Sequence, residues 1–378
     1  MTKSVVFIEK VVMASLPRPR HPRVLRSHRL ARTLVAVLAA SALAASACST
    51  DASTRTAAAD KGPTTTAAPV TTEATIPAGV TLRVGDQLDY LKTVLSLAGE
   101  DRDFDYTVEY SAFIGGPPML QAFQAGSLDT GFVGSTPLIF AQAGGQQITA
   151  VAQWASKRSA YELVASGSAK TDITSWADLK GRKVAFQQGT AGEAALLQAL
   201  DTVGLELSDI TPVNLPQTQI AAAIQGGSAD AGLSIEPLTS LLLQSAPDAV
   251  VVDQADELTD RSSFVIATQE TLADAGKTAA LADYIARLVR SFAYLADHPD
   301  AIAESVYAKQ YGLPIERAKE IVAAAGGAPE FQQLPGAIVK PQQQLADLFH
   351  AAGEIPAELD VSSEFDGRFN DVIKDAAS

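Results

Sequence analysis

Residues 123–138 read FQAGSLDTGFVGSTPL, and residues 224–238 read IQGGSADAGLSIEPL. Gln124, Gly126, Ser127, Asp129 and Gly131 of the first stretch recur as Gln225, Gly227, Ser228, Asp230 and Gly232 of the second. One residue sooner, Pro137-Leu138 recurs as Pro237-Leu238. Each copy reads as a helix stopping at Gly, a short strand, and a new helix beginning near Pro. Gly suits the left-handed residue after a helix end, and Pro just inside a helix gives up only an amide that has no intrahelical acceptor. Two copies a hundred residues apart predict two matching lobes.

Outward from the repeat, strand-like and helix-like runs alternate. Strands are expected near Thr107–Tyr110, Thr130–Val133, Ile148–Gln153, Glu162–Ala165, Lys183–Phe186, Ala231–Ser234, Val250–Val252 and Ser263–Thr268, with a first one in the alternation from Gly79 to Gly85. Helices are expected at Pro118–Ala125, Pro137–Ala143, Ala191–Val203 and Gln217–Gln225. This order predicts an α/β protein of mainly parallel sheets flanked by helices. With 378 residues and 47% hydrophobic content, the chain has enough apolar side chains for more than one core.

The N-terminal 47 residues differ from the rest. They carry eight basic residues against one acidic, about +7, which leaves the remainder near −21. The basic stretch Arg18–Arg32, the apolar run Leu34–Ala45 and Ala-Ser-Ala before Cys48 have the form of an export signal, too short for a membrane span of roughly 20 residues. Ala45-Ser46-Ala47-Cys48 resembles a bacterial lipoprotein box, which implies lipidation of Cys48. Ordinary cleavage beside an incidental thiol is the other reading. Cys48 is the only cysteine, so no intrachain disulfide forms. Residues 48–78, rich in Thr and Ala without an apolar period, read as a flexible tether.

The acidic body argues against nucleic acid. Four His offer no metal set, no Gly-x-Ser-x-Gly elbow is present, and the Gly pairs lack the Lys of a phosphate loop, so no metal, cofactor or catalytic group is expected. Loops after the strands combine small residues, hydroxyls and helix starts instead: Gly85-Asp86-Gln87, Gly115-Gly116-Pro117-Pro118, Gly134-Ser135-Thr136-Pro137, Gln187 to Gly192 and Ile235-Glu236-Pro237. In open α/β sheets these loops face the ligand, and helix starts offer N–H groups and positive dipole ends to an anion.

Together GGPPMLQAFQAGSLDTGFVGSTPLIFAQAGG (115–145), DLKGRKVAFQQGTAGEAALLQAL (178–200) and the segment from Ile338 through QQQLADLFHAAGEIP resemble the solute-binding lipoproteins of ABC importers for aliphatic sulfonates, taurine and nitrate. The resemblance spans about residues 80–365. It implies a periplasmic-binding-protein-like fold: lobe 1 from residues 79–165 plus 264–378, lobe 2 from 166–263, and two crossing strands near Glu162–Ser166 and Ser263–Thr268 as hinge. It further implies a monomer, held at the extracytoplasmic face of the membrane by its anchor, that delivers a small organic anion to an ABC permease. The expected ligand contacts are Gln87, Gly115, Gly116, Ser135, Thr136, Gln188, Gly189, Thr190, Ala191 and Gly192. Ser135 has a second reading as a plain helix cap.

Where sulfonate binders often carry Trp-Asp-Pro-Tyr, this chain has Ile235-Glu236-Pro237-Leu238. Glu236 is therefore a candidate partner for a ligand amine, or a helix-start carboxylate facing solvent. Trp154 is a candidate aromatic wall, or core. An enzyme on the same architecture would resemble the pyrimidine-precursor synthases, whose cysteine-rich metal motif this chain lacks. The expectation is a non-enzymatic binding protein for an aliphatic sulfonate or taurine-like compound. Nitrate, aromatic sulfonates or sulfate esters, thiamine-related pyrimidines and a sensor role are the alternatives.

Overall fold

The computed structural model describes residues 69–71, 74–159, 161–167, 172–258 and 261–378, all within one compact unit. The expected export signal and Cys48 lie outside the described residues. No helix among the described residues is long and apolar enough to cross a membrane.

The first layer builds from β1 (Thr81–Gln87), α1 (Tyr90–Ala98), β2 (Thr107–Phe113), α2 (Gly116–Gln124), β3 (Thr130–Gly134), α3 (Ser135–Ala143) and β4 (Ile148–Ala155). The chain then enters a second layer as β5 (Tyr161–Ala165), β6 (Lys183–Phe186), α4 (Ala191–Thr202), β7 (Thr211–Asn214), α5 (Gln217–Gln225), β8 (Ala231–Ile235), α6 (Leu238–Ser245) and β9 (Val250–Gln254). It returns through β10 (Ser262–Thr268) to α7 (Gln269–Ala273), the long α8 (Ala275–Asp297), α9 (Pro299–Ile302), a π-type segment (Ala303–Gln310) and α10 (Ile315–Ala324). β11 (Glu330–Gln332), α11 (Val339–Ala351) and α12 (Asn370–Ala376) complete it. β7 and β11 were not among the expected strands.

The strands form one sheet of order β11-β4-β10-β3-β1-β2 and another of order β7-β6-β8-β5-β9. Both are mixed rather than mainly parallel. β1 pairs in parallel with β2 and β3, and β6 with β7 and β8, while β10 and β5 run antiparallel to both their neighbours. The cause is the passage between layers. β4 and β9 leave their sheets at the interlobe end, so β5 and β10 enter from that end and must run the opposite way. The passages begin after Ala155 of β4 and after Gln254 of β9. The Glu162–Ser166 segment expected to cross starts inside β5, and Ser263–Thr268 lies inside β10.

The repeat has a structural counterpart in each layer. Gly126 and Gly227 both end their helices with left-handed φ, +69° and +71°. The Asp129 carboxylate accepts the Arg83 backbone N–H, and the Asp230 carboxylate accepts that of Lys183, each at 2.8 Å, pinning the repeat strand to its parallel neighbour. A Cβ at Gly131 or Gly232 would lie 2.9 Å from a carbonyl oxygen of that neighbour, Gly85 or Ala185. Only Gly permits that approach.

Separate apolar cores sit beneath the two sheets, one around Leu82, Val84, Tyr284 and Phe292, another around Leu163, Leu179, Val184 and Leu200. A third cluster bridges α3, α4 and α11 through Ile139, Ala194, Leu197, Leu345 and Phe349. That bridge forms one wall of the interlobe cleft.

Candidate functional site

Strands β1, β3, β4, β6, β8 and β9 all end at the same gap, and the loops that follow enclose a cavity of about 610 Å³. Its lining brings together Gln87, Gly115, Gly116, Ser135, Thr136, Thr190 and Ala191 of the expected set. Four helices start there: α2 and α3 from the first layer, α4 and α5 from the second. In none of them does the N-cap residue's own side chain cap the start, although at α5 the Gln217 amide donates to the Gln187 side-chain oxygen at 3.1 Å. The first amides of each helix have no intrahelical acceptor, so these ends point partial positive charge into the cleft.

Thr136, at the second position of α3, is fully buried, and its hydroxyl has no hydrogen-bond partner. Such an orphan costs about 1–3 kcal/mol unless something meets it. Gln217, the first residue of α5, is 3% exposed; its amide donates to the Leu233 carbonyl, and its Oε1 has no partner. Thr190 donates its hydroxyl to the Gln187 carbonyl at 2.7 Å. Gln87 donates to the Phe132 carbonyl at 2.7 Å, which leaves its side-chain oxygen as an acceptor. Burial raises the Tyr161 phenol, whose oxygen is engaged with the Thr190 hydroxyl and the Gly192 amide over the start of α4.

Five expected contacts lie elsewhere. Gln188 and Gly189 line a separate groove of about 590 Å³, and protein oxygens already hold their amides: Asn214 accepts from Gln188 at 3.1 Å and Glu193 from Gly189 at 2.8 Å. Burial pushes that Glu193 carboxyl up to about 7. Gly192 is packed beneath Tyr161, where a Cβ would come within 2.6 Å of the ring. Trp154 is 2% exposed and belongs to the core, against Phe132, Phe292 and Phe331. Glu236 binds Arg317 at 2.9 Å and Ser240 at 2.9 Å, tying the start of α6 to α10, and does not line the cavity.

Charged residues missing from the sequence reading stand on the two interlobe passages. Arg158, Arg261 and Glu257 all line the cavity. Arg158 is committed to Asp256 of the other passage at 2.5–2.7 Å. Among the described residues, Arg261 donates to the Lys157 carbonyl, at 2.6 Å, and no carboxylate pairs with it. Arg261 also holds a left-handed φ of 58°, a conformation that costs an L-residue about 1 kcal/mol. Its one signal in the sequence is its place at the joint between two strands. Phe132, Pro137, Ile235, Pro341, Leu345 and Leu348 give the cavity an apolar wall. The arrangement can hold an anionic head with N–H and O–H donors and cover an apolar body. No cluster of metal-binding side chains occurs among the described residues.

Comparisons with known proteins point the same way. A family model described as NMT1/THI5 like matches residues 114–302. A protein of Escherichia coli (strain K12) named for binding aliphatic sulfonates is 32% identical over 74% of this chain and 86% of its own length. A Bacillus subtilis protein of the same name is 27% identical over 69% of this chain and 77% of its own. Among solved structures, the alkanesulfonate-binding protein of Xanthomonas axonopodis pv. citri bound to MOPS superposes with a TM-score of 0.68 at 27% identity, covering 76% of this chain and 99% of that one. The E. coli periplasmic aliphatic sulphonate binding protein gives 0.61 at 29%, covering 75% and 91%.

Proposed function

The chain belongs to the NMT1/THI5-like family and is kin to the aliphatic sulfonate-binding proteins, and from that premise we propose that it is the extracytoplasmic solute-binding component of an ABC importer, closing its cleft over a sulfonate. The observation that carries this reading is the buried, partnerless Thr136 hydroxyl at the start of α3. A sulfonate oxygen placed there meets that hydroxyl and the helix dipole together, which removes a cost that the empty protein bears.

In this reading the sulfonate lies against Gly115, Gly116, Ser135, Thr136, Thr190 and Ala191, with Arg261 supplying a formal positive charge and Gln87 at the margin. The organic body lies on Phe132, Leu345 and Leu348. A cleft of about 610 Å³ with an apolar wall exceeds what nitrate fills and suits an organic anion. The Arg158–Asp256 pair ties the two passages side by side, and bending across them opens and closes the cleft. Capture then precedes docking on a permease, with the protein acting as a monomer and tethered through lipidated Cys48 and a linker shorter than the expected 48–78, because Val70 donates its amide to the Arg368 carbonyl at 2.9 Å and packs with Ile76 against the first core. Binding and release leave the solute chemically unchanged, so no enzymatic step enters.

Isothermal titration of the purified protein against propane- to octanesulfonates, nitrate, a sulfate ester and a thiamine-related pyrimidine tests the proposal. Saturable binding of the sulfonates is expected. Heat from the pyrimidine or nitrate alone overturns the sulfonate assignment.

A further inference from the structure

Resting on the sulfonate reading, we infer that the preferred solute is a zwitterion, a sulfonate that also carries a protonated amine, and that Glu257 is the residue that selects it. A sulfonate offers only acceptor oxygens. The cleft, however, presents acceptors as well as donors: the Glu257 carboxylate, the partnerless Gln217 Oε1 and the Gln87 side-chain oxygen. Gln217 is nearly fully buried, so its oxygen remains a standing cost until a donor reaches it. A plain alkanesulfonate has no hydrogen to give.

The charges lead to the same requirement. Arg158 and Asp256 cancel each other across the two passages. Arg261 and Glu257 both face the cleft, and neither has a charged partner among the described residues. An alkanesulfonate pairs with Arg261 and leaves the Glu257 charge facing a second negative group. An ammonium on the same molecule pairs with Glu257 and meets Gln217 with its N–H groups, so every uncommitted group finds a complement. Glu236, the amine partner suggested by the sequence, is spent on Arg317, and Glu257 takes that role from the interlobe passage.

The test compares 3-aminopropanesulfonate with butanesulfonate, matched in size but not in charge, by isothermal titration on the wild type and on Glu257→Gln. Glu257 is exposed and outside every strand and helix, so the variant keeps the fold. The wild type is expected to favour the amine by about tenfold, the scale of one charge-assisted hydrogen bond. Glu257→Gln is expected to lose most of that preference while binding butanesulfonate as well as before or better. A wild type indifferent to the amine, or a variant that weakens both ligands equally, overturns the inference and leaves the sulfonate reading standing. Silence with both ligands overturns the sulfonate reading itself.

Discussion

Thr136 is proposed as a binding residue because of what its side chain lacks. Its hydroxyl is buried, unpartnered and placed at a helix start that no side chain caps. Thr136→Val removes the hydroxyl and keeps the branched shape, so the unliganded protein loses an unmet polar group. It is expected to gain about 1 kcal/mol in stability while binding sulfonate roughly tenfold more weakly. Thermal melting without ligand and titration with it read the two halves separately. Higher stability with unchanged affinity would make Thr136 a mere packing residue. The hydroxyls that line the cavity were legible in the sequence because they stand in loops between a strand end and a helix start, where an open α/β sheet places its ligand. Glu257 and Arg261 were not, since a charge between two strands reads as solvent-facing until the partner passage is seen beside it, and neither was Gln217, whose place in the cleft depends on where its helix packs.

Among elements, the repeat was legible because it obeys strict backbone requirements. Gly126 and Gly227 need left-handed φ, and Gly131 and Gly232 need bare Cα atoms against the next strand. The helix starts it sets up have opposite fates. In the first copy the start of α3 faces the cleft; in the second, Glu236 before α6 reaches Arg317 on α10. One helix at a chain distance of about eighty residues decides this, and no local pattern announces it. Glu236→Gln is therefore expected to leave the amine-to-alkane affinity ratio within about twofold of the wild type. The stability loss is expected to stay below about 1 kcal/mol, because the Arg317 side chain is 38% exposed and the pair is screened. Titration with the same two sulfonates checks the first claim, and a fall in the amine preference would return Glu236 to the cleft.

For the whole molecule, the alternation of strands and helices made the two-layer α/β architecture legible, whereas strand direction was not. Periodicity marks a strand but carries no sign, and only the double passage between layers forces β5 and β10 to run backwards. Burial has a further consequence at this scale. It pushes the carboxyls of Asp86 to about 6, Glu193 to about 7 and Glu364 to about 8. Each pKa is raised in the folded state, so the folded protein holds protons that the unfolded chain has already released. The stabilisation is complete below the unfolded range near pH 4 and is lost as pH climbs through the folded values, at up to about 1.4 kcal/mol per pH unit for each group. The melting temperature is thus expected to fall steadily from pH 5 to pH 8. Glu364 is the natural probe, since among the described residues it accepts only from Gln342, which also donates to the Ser135 carbonyl behind the cleft. Glu364→Gln keeps an oxygen for that bond and cannot ionise. The variant should melt a few degrees above the wild type at pH 8, match it near pH 5, and show a shallower decline between. Parallel curves for the two proteins would mean that Glu364 does not hold its proton in the folded state.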